Sequence, residues 1–205
     1  MRYKKMKTEL EKCMAGEIYD CHDSIFVERK ARASEWCVRY NAVPYAMRHL
    51  RYGMLKELFG SVGNNVSVGD DFICGFGCNI YVGDNVSINL RCTLIDCNKI
   101  VIGNNVLIAP GVQINTATHP VDLPERLNPD WRPGSSAYRW QTYALPVVIG
   151  DNCWIGAGCI ILPGVTIGAG SVIGAGSIVN RDIPAGSVAV GNPCRVIRSL
   201  AAENS

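Results

Sequence analysis

The sequence predicts a mainly β protein, a parallel β-helix of about five coils preceded by an α-helical segment. Two observations carry that prediction. From Ile149 to Pro184 the chain reads as six hexapeptides in unbroken register, with Ile149, Ile155, Ile161, Ile167, Ile173 and Val179 at the first position. The fifth position holds Cys153, Cys159, Val165, Ser171, Ser177 and Ile183, mostly small, and Gly or Asn separates the two almost every time. A period of six fits neither the 3.6 of an amphipathic helix nor plain alternation, and short repeats of this kind mark parallel β-helices. The second observation is an earlier, looser copy of the pattern. First positions fall at Val62, Val68 and Cys74, then at Val82, Ile88 and Leu94, then at Ile102, Ile108 and Ile114. Spacing is six within each trio and eight between trios, as expected for three flat faces per coil with one wider corner. In the clean stretch that corner tightens to six.

Composition agrees with this reading. Twenty-one glycines against four phenylalanines suit turn-rich β structure. A net charge of +2 argues for neither nucleic acid nor a membrane as partner. The N-terminal MRYKKMKTELEK is basic but lacks the apolar segment of a signal peptide, and no apolar run is long enough to span a bilayer. Ten cysteines are spread along the chain without a CxxC pair. Cys78, Cys92, Cys153 and Cys159 fall on the fifth position of a repeat, where a small apolar side chain is wanted, so core packing is the better reading than disulfide or metal. The expectation is a reduced, cytoplasmic protein.

Three units follow: a helical segment at 1–60, the β-helix at 61–198 with an inserted loop at 120–146, and a tail at 199–205. In the first unit Thr8 and Glu11 form a capping-box pattern, and Gly16 can end that helix. A second helix starts near Asp23 or Ser24 and runs to about Tyr40, with Phe26, Ala33, Trp36, Cys37 and Tyr40 as its apolar stripe. Pro44 suits the first turn of a third helix, whose buried face continues through Met47, Leu50, Met54, Leu55 and Leu58. The charged residues here read most simply as a solvated face, with Arg48 and Arg51 reaching a ligand as the alternative. Between Ile114 and Ile149 the register breaks. The long inserted segment carries Trp131, Tyr138, Trp140 and Tyr143, aromatic surface that needs cover either on its own prism or on a neighbouring subunit.

Of three histidines, His22 and His49 read as helix-surface residues. His119, in NTATHP, lies where the repeat scaffold meets the long loop, with Pro120 fixing the chain beyond it. An imidazole there is a candidate general base, because histidine titrates near neutrality, and equally a candidate structural residue.

The leader MAGEIYD with LFG at 58–60, the NTATHP segment, the VVIGDNCWIGAG repeat and the ending GNPCRVIR together resemble the maltose and galactoside O-acetyltransferase family, over nearly the whole chain. The resemblance implies a left-handed β-helix, a homotrimer and acetyl-CoA bound in a cleft between adjacent prisms, with direct acetyl transfer to a sugar hydroxyl and no metal. It implies His119 as the catalytic histidine and Asn89 as the asparagine that meets the acceptor. It places Ala157, Ala175, Asn180 and Arg181 along the pantetheine and nucleotide of the coenzyme, Trp154 beside the same arm, and Arg195 and Arg198 near its phosphates. Departures fall on the acceptor side. Asn89, Leu90 and Arg91 stand where the family often has Asn-Phe-Asn, so Arg91 brings a positive charge to the acceptor pocket. Gly75 stands where relatives carry a polar or acidic residue, and Cys21 where some carry an acceptor-contacting acid; whether Asp20 beside it substitutes is left open by the sequence. These changes favour an anionic or amino sugar over maltose or a galactoside. A zinc-dependent carbonic anhydrase on the same prism fails on ligand count, since the repeat region offers one histidine. A non-sugar acceptor (an antibiotic or amino acid) and a non-enzymatic binding prism remain as alternatives.

Overall fold

The structure, a computed structural model, describes residues 6–135 and 137–200. The first five residues of the expected helical segment and residues 201–205 of the expected tail lie outside the described residues. Three parallel sheets form the faces of a prism. The first face stacks Ser61–Val62, Ile80–Val82, Ile100–Ile102, Val147–Ile149 and Thr166–Ile167. The second stacks Ser67–Val68, Ser87–Ile88, Leu107–Ile108, Trp154–Ile155, Val172–Ile173 and Ser187–Val190, and Arg195–Ser199 closes it by antiparallel pairing. The third stacks Ile73–Cys74, Thr93–Ile95, Gln113–Asn115, Ile160–Ile161 and Ile178–Val179. Five coils are complete, and a sixth is begun by Ile183, which bridges to Ile167, and by Ser187–Val190.

Register follows the spacing of the aliphatic residues. Val62 stacks on Val82 and Val82 on Ile102, a step of 20 residues, whereas Ile149 stacks on Ile167, a step of 18. Ile149, Ile155, Ile161, Ile167, Ile173 and Val179 are all fully buried in one shared interior. Cys92, Cys153 and Cys159 are buried with them, and Cys78 is half-buried under the N-terminal segment. All ten thiols are free, and burial pushes those of Cys92, Cys153 and Cys159 above their usual range.

The two extra residues of the wide corners have a structural use. Asp96, fully buried, accepts from Phe76 N at 2.7 Å and Asn79 N at 3.1 Å, bracing the corner of the first coil from the second. One layer on, Asn98 N donates to Thr116 Oγ1 at 2.9 Å, and the Asn98 amide donates to the carbonyls of Cys13 and Ala144. These corners therefore carry the docking of the helical segment. At another corner Asn65, Asn85, Asn105 and Asn152 sit at positive φ and join through an amide ladder with steps of 3.1 Å.

Helix α1 (Glu9–Met14) has the expected capping box, and Gly16 leaves it at φ +74. Helix α2 (Ser24–Ala42) is capped by Asp23 and buries Phe26, Ala33, Trp36, Cys37 and Tyr40. Helix α3 (Arg48–Leu58) begins four residues later than Pro44, which lies in the preceding turn. Together α2 and α3 close the open end of the first coil: Trp36, Tyr40, Phe59 and Phe72 form an aromatic plug, with the Trp36 and Tyr40 rings stacked at 4.7 Å.

Two expectations for α3 are corrected. Met47 and Leu50 are about half exposed, because the plug is full by Met54, Leu55 and Leu58. Arg51 is not on a solvated face: it is 4% exposed. Its guanidinium donates to the carbonyls of Val43, Val68 and Gly69, pairs with Asp70 at 2.7 Å, and lies 4.3 Å from the Tyr40 ring centre. A planar fork with five donors can satisfy several carbonyls at once, which is why arginine rather than lysine closes this seam.

The inserted loop leaves the third face after Asn115. It pairs back on itself through Ala117–Thr118 and Tyr143–Ala144, antiparallel, and contains one short helix, α4 (Leu123–Arg126). It lies against its own chain: Tyr19 bridges Thr142, the His22 and Tyr138 rings meet at a tilt with centres 4.3 Å apart, and Arg139 lies over Trp131 and Trp140. His22 is thus a ring partner for the loop rather than a bare helix-surface residue. Among the described residues no helix is long and apolar enough to cross a membrane.

Candidate active site

His119 follows the short strand Ala117–Thr118 and is exposed. Its Nδ1 lies 2.8 Å from the carbonyl oxygen of Gln141. A carbonyl oxygen only accepts, so Nδ1 carries the hydrogen, and in the neutral ring Nε2 is left with its lone pair free. The Thr142 hydroxyl lies 3.4 Å from the same Nδ1 and 3.9 Å from Cys21 Sγ. The fold therefore brings Cys21, Thr142 and His119 into one row, held by the Tyr19–Thr142 bridge. Burial pushes the Cys21 thiol up, so it stands beside the imidazole as a neutral group. Asp20, next in the chain, is exposed. Its carboxylate accepts from His22 N at 2.9 Å, while its own N–H donates to Glu9 at 2.7 Å. Asp20 also borders a cleft of about 360 Å³ that includes Tyr138, Trp140 and Gln141.

The other sequence-predicted residues divide between the two edges of the third face. Asn89 and Arg91 lie where the chain passes from the second face to the third. Asn89 is at the entrance of a turn, its Oδ1 accepting from Leu90 N at 2.8 Å, and Arg91 is at φ +57 within it. Asn89 thus leads into the corner, exposed. Arg91 pairs loosely with Asp71 at 3.5 Å, both side chains mostly in solvent. Backbone bonds from Gly111 N to Leu90 O, Gly158 N to Pro110 O and Gly176 N to Ala157 O run down this edge, so Ala157 and Ala175 lie below Asn89 in one exposed column. Gly156 beside them has no room for a side chain, since a Cβ there would stand 2.5 Å from Ala175 N. Trp154 points outward from the second face, half exposed, three residues before Ala157.

Along the opposite edge lie Gly75, at the end of the third face in the first coil, then His119, then Asn180 and Arg181 in the fifth coil. Arg195 crosses between the two edges at the bottom of the prism, its Nη1 3.2 Å from Asn180 Oδ1. Arg198 is exposed on the closing strand opposite Val188. One chain therefore gathers an imidazole on one edge and an amide and two small exposed residues on the other. The width of the third face, about five extended residues or ~15 Å, separates them. Gln141 and Thr142 were not singled out in the sequence. Gln141 acts through its carbonyl, which leaves no side-chain signature, and only the short β-prone segments flanking the loop hinted at the pairing that delivers it.

Comparison with known proteins now bears on this arrangement. Residues 12–63 match the maltose acetyltransferase hexapeptide capping motif, and residues 146–181 match the bacterial transferase hexapeptide (six repeats). The galactoside O-acetyltransferase of Escherichia coli strain K12 is 38% identical over 190 residues, covering 93% of this chain and 88% of that protein. The chain belongs to the maltose and galactoside O-acetyltransferase family. Among solved members of this family, a maltose O-acetyltransferase from Clostridium difficile 630 superposes with a TM-score of 0.86 at 42% identity, covering 96% of this chain and 99% of that one. A galactoside acetyltransferase in complex with coenzyme A superposes with a TM-score of 0.83 at 37% identity, covering 95% and 92%. The capping motif spans α2, α3 and the first strand, so the part of the chain that plugs the prism is itself a family feature.

Proposed function

We propose that the protein transfers the acetyl group of acetyl-CoA to a hydroxyl of a sugar or sugar-like acceptor, with His119 as general base. The carrying observation is the bond from His119 Nδ1 to the Gln141 carbonyl, which leaves Nε2 on an exposed imidazole as the acceptor of a proton. The acceptor hydroxyl gives its proton to Nε2 as its oxygen attacks the thioester carbon. The C–S bond breaks, and the imidazolium returns the proton to the departing thiolate of coenzyme A. The Gln141 carbonyl holds the ring in the productive tautomer throughout and favours the imidazolium when it forms.

The donor fits the other edge. Ala157 and Ala175 leave the backbone open to a close-lying pantetheine arm, with Trp154 flanking it. Arg181, Arg195 and Arg198 carry permanent positive charge toward the end of the prism where the coenzyme phosphates would lie. Since base and groove occupy opposite edges of the third face in one chain, a complete site takes one edge from each of two copies. This supports a homotrimer with three such sites. Asn89 then meets the acceptor beside the partner's imidazole, and Gly75, Arg91 and Asp20 shape the pocket around it. The gain of Arg91 and the missing side chain at Gly75 favour an anionic or amino sugar. The test is an acetyl-CoA assay over a panel of neutral, amino and acidic sugars, read as free thiol released. Saturable thiol release with at least one sugar supports the reading; none above the hydrolytic background with any of them overturns it.

A further inference from the structure

A second cleft, of about 450 Å³, lies far from His119. It is formed by α3 and the first coil, at the edge between the first and second faces, opposite the third face that the proposed transfer site uses. Its lining includes Arg48, His49 and Arg51, three tyrosines, Asn64 and Asn65, and no carboxylate. Arg51 is matched by Asp70. Arg48 is exposed and has no ion-pair partner among the described residues, and the His49 imidazole is exposed beside it. Lys56 on the same helix lies over the Tyr52 ring at 4.4 Å, so a second cation without an ion-pair partner among the described residues stands beside a lining residue. The wall is thus positively charged, and it is held by a buried guanidinium whose Nε is the one buried side-chain polar atom without a partner among the described residues.

The remaining walls match a different part of a ligand. The Tyr45 ring is half exposed, with Arg48 and Arg51 guanidinium carbons 5.7 and 5.8 Å from its centre, so an open aromatic surface lies directly beside the cations. Such a surface suits the apolar face of a pyranose or another flat ring. Across the cleft, Asn65 is the first rung of the amide ladder. Its Nδ2 donates to Asn85 Oδ1, but no side-chain donor stacks on its own Oδ1 among the described residues. The ladder therefore ends at this cleft with an acceptor oxygen aimed outward along the prism, and the exposed Asn64 amide lies next to it. Acceptors of this kind receive hydroxyl donors.

We infer that this cleft is a second binding site, for a phosphorylated, hydroxyl-rich small molecule of the sugar-phosphate class. The phosphate is held by Arg48 and His49, the ring lies on Tyr45, and the hydroxyls reach Asn64 and Asn65. The site is separate from the one proposed for acetyl transfer and does not depend on that reading.

The experiment is a calorimetric titration of the full-length chain, saturated beforehand with coenzyme A so that the phosphate-binding groove of the transfer site is filled. Glucose 6-phosphate, glucose and inorganic phosphate are the probes. Glucose 6-phosphate is expected to bind saturably at one site per chain, at least tenfold more tightly than glucose or inorganic phosphate alone. The double variant Arg48→Ala/His49→Ala, and separately Tyr45→Ala, should each weaken that binding about tenfold or more, while melting temperature and coenzyme A affinity stay at wild-type values, because all three side chains are exposed. No saturable binding, binding unchanged in both variants, or binding seen only when coenzyme A is left out would each overturn the inference, the last by assigning the phosphate to the coenzyme groove. A chain that bound no coenzyme A would defeat the acetyl-transfer reading alone, since the comparison of variants holds without it.

Discussion

The His119 imidazole and the Gln141 carbonyl are joined at 2.8 Å across the neck of the inserted loop, where Ala117–Thr118 pairs with Tyr143–Ala144. The loop's two ends are thus a device that holds one ring in one tautomer. What lies beyond the neck can vary in length and sequence without moving the ring.

If this ring is the general base, His119→Ala lowers kcat by roughly 10²–10⁴-fold, the usual contribution of a positioned base. The side chain is exposed and its one short bond is to a carbonyl that solvent can reach in its absence, so melting temperature and subunit content should hold. Acetyl-CoA affinity should change little. Kinetics and melting are measured on the same preparation. Near-normal turnover by a fully folded variant would remove His119 from the chemistry, and a parallel loss of stability and turnover would make it structural.

Arg51 should behave in the opposite way. Arg51→Met keeps the apolar stem but removes donors to Val43, Val68 and Gly69, the pair with Asp70 and the contact with Tyr40. Val68 retains the Tyr40 hydroxyl as a donor, so the expected cost is about 2–4 kcal/mol, from carbonyls left unpaired at a buried seam. Denaturant midpoints report this, with the slope unchanged. A variant of wild-type stability with a raised acetyl-CoA KM would instead mark Arg51 as a ligand residue.

Asp96 supplies a pH dependence. Burial raises its carboxyl above the ordinary range, although the backbone donors of Phe76, Gly77 and Asn79 pull the other way. With the native pKa above the unfolded one, the group's stabilising contribution is full below the unfolded value and is lost as pH rises through the native value. Asp96→Asn abolishes this titration. It also turns an amide NH₂ toward Phe76 N or Asn79 N, which both need an acceptor, at a cost of about 1–3 kcal/mol. The wild type should therefore be the more stable at neutral pH, and its margin over the variant should widen on acidification through the native pKa. A margin that narrowed there would show that the donors outweigh burial.

The chain discloses its fold far more completely than its site. Ile149, Ile155 and Ile161 could be placed inward from spacing alone, because a one-residue slip in any strand would turn its whole apolar set to solvent. The stripe of α2 was legible for the same reason. Arg51 was not: it shares a helical face with Met54, Leu55 and Leu58, and nothing local announces that four oxygen acceptors converge on it from Val43 and the first coil. Met47 and Leu50 misled in the converse way, since an apolar stripe runs on past the surface available to cover it. At the site, His119 stood out as a lone imidazole at a break in the repeat. Its tautomer depends on a main-chain oxygen 22 residues away, and its separation from Asn89 depends on which edge of a prism each corner occupies. Both are properties of the closed coil and not of any segment.

That separation gives the most decisive test of the assembled site. Asn89 and His119 flank opposite edges of the third face, so neither chain alone can place both on one acceptor, and each proposed site draws the two from neighbouring subunits. His119→Ala and Asn89→Ala should each be nearly inactive as pure trimers. Mixed and allowed to exchange subunits at equal amounts, they should regain activity, because an intact site forms wherever an Asn89→Ala chain presents its imidazole to a His119→Ala chain carrying its asparagine. Random mixing in a closed ring makes about a quarter of the sites intact, so the mixture should reach about a quarter of wild-type turnover. The double variant mixed with either single variant should stay inactive, since no pair of neighbours then supplies both groups. Sedimentation on the same samples checks that the mixtures remain trimeric. A monomer at micromolar concentration, or a trimeric mixture with no gain over the pure variants, would place the reaction within one chain and require a different partner for His119.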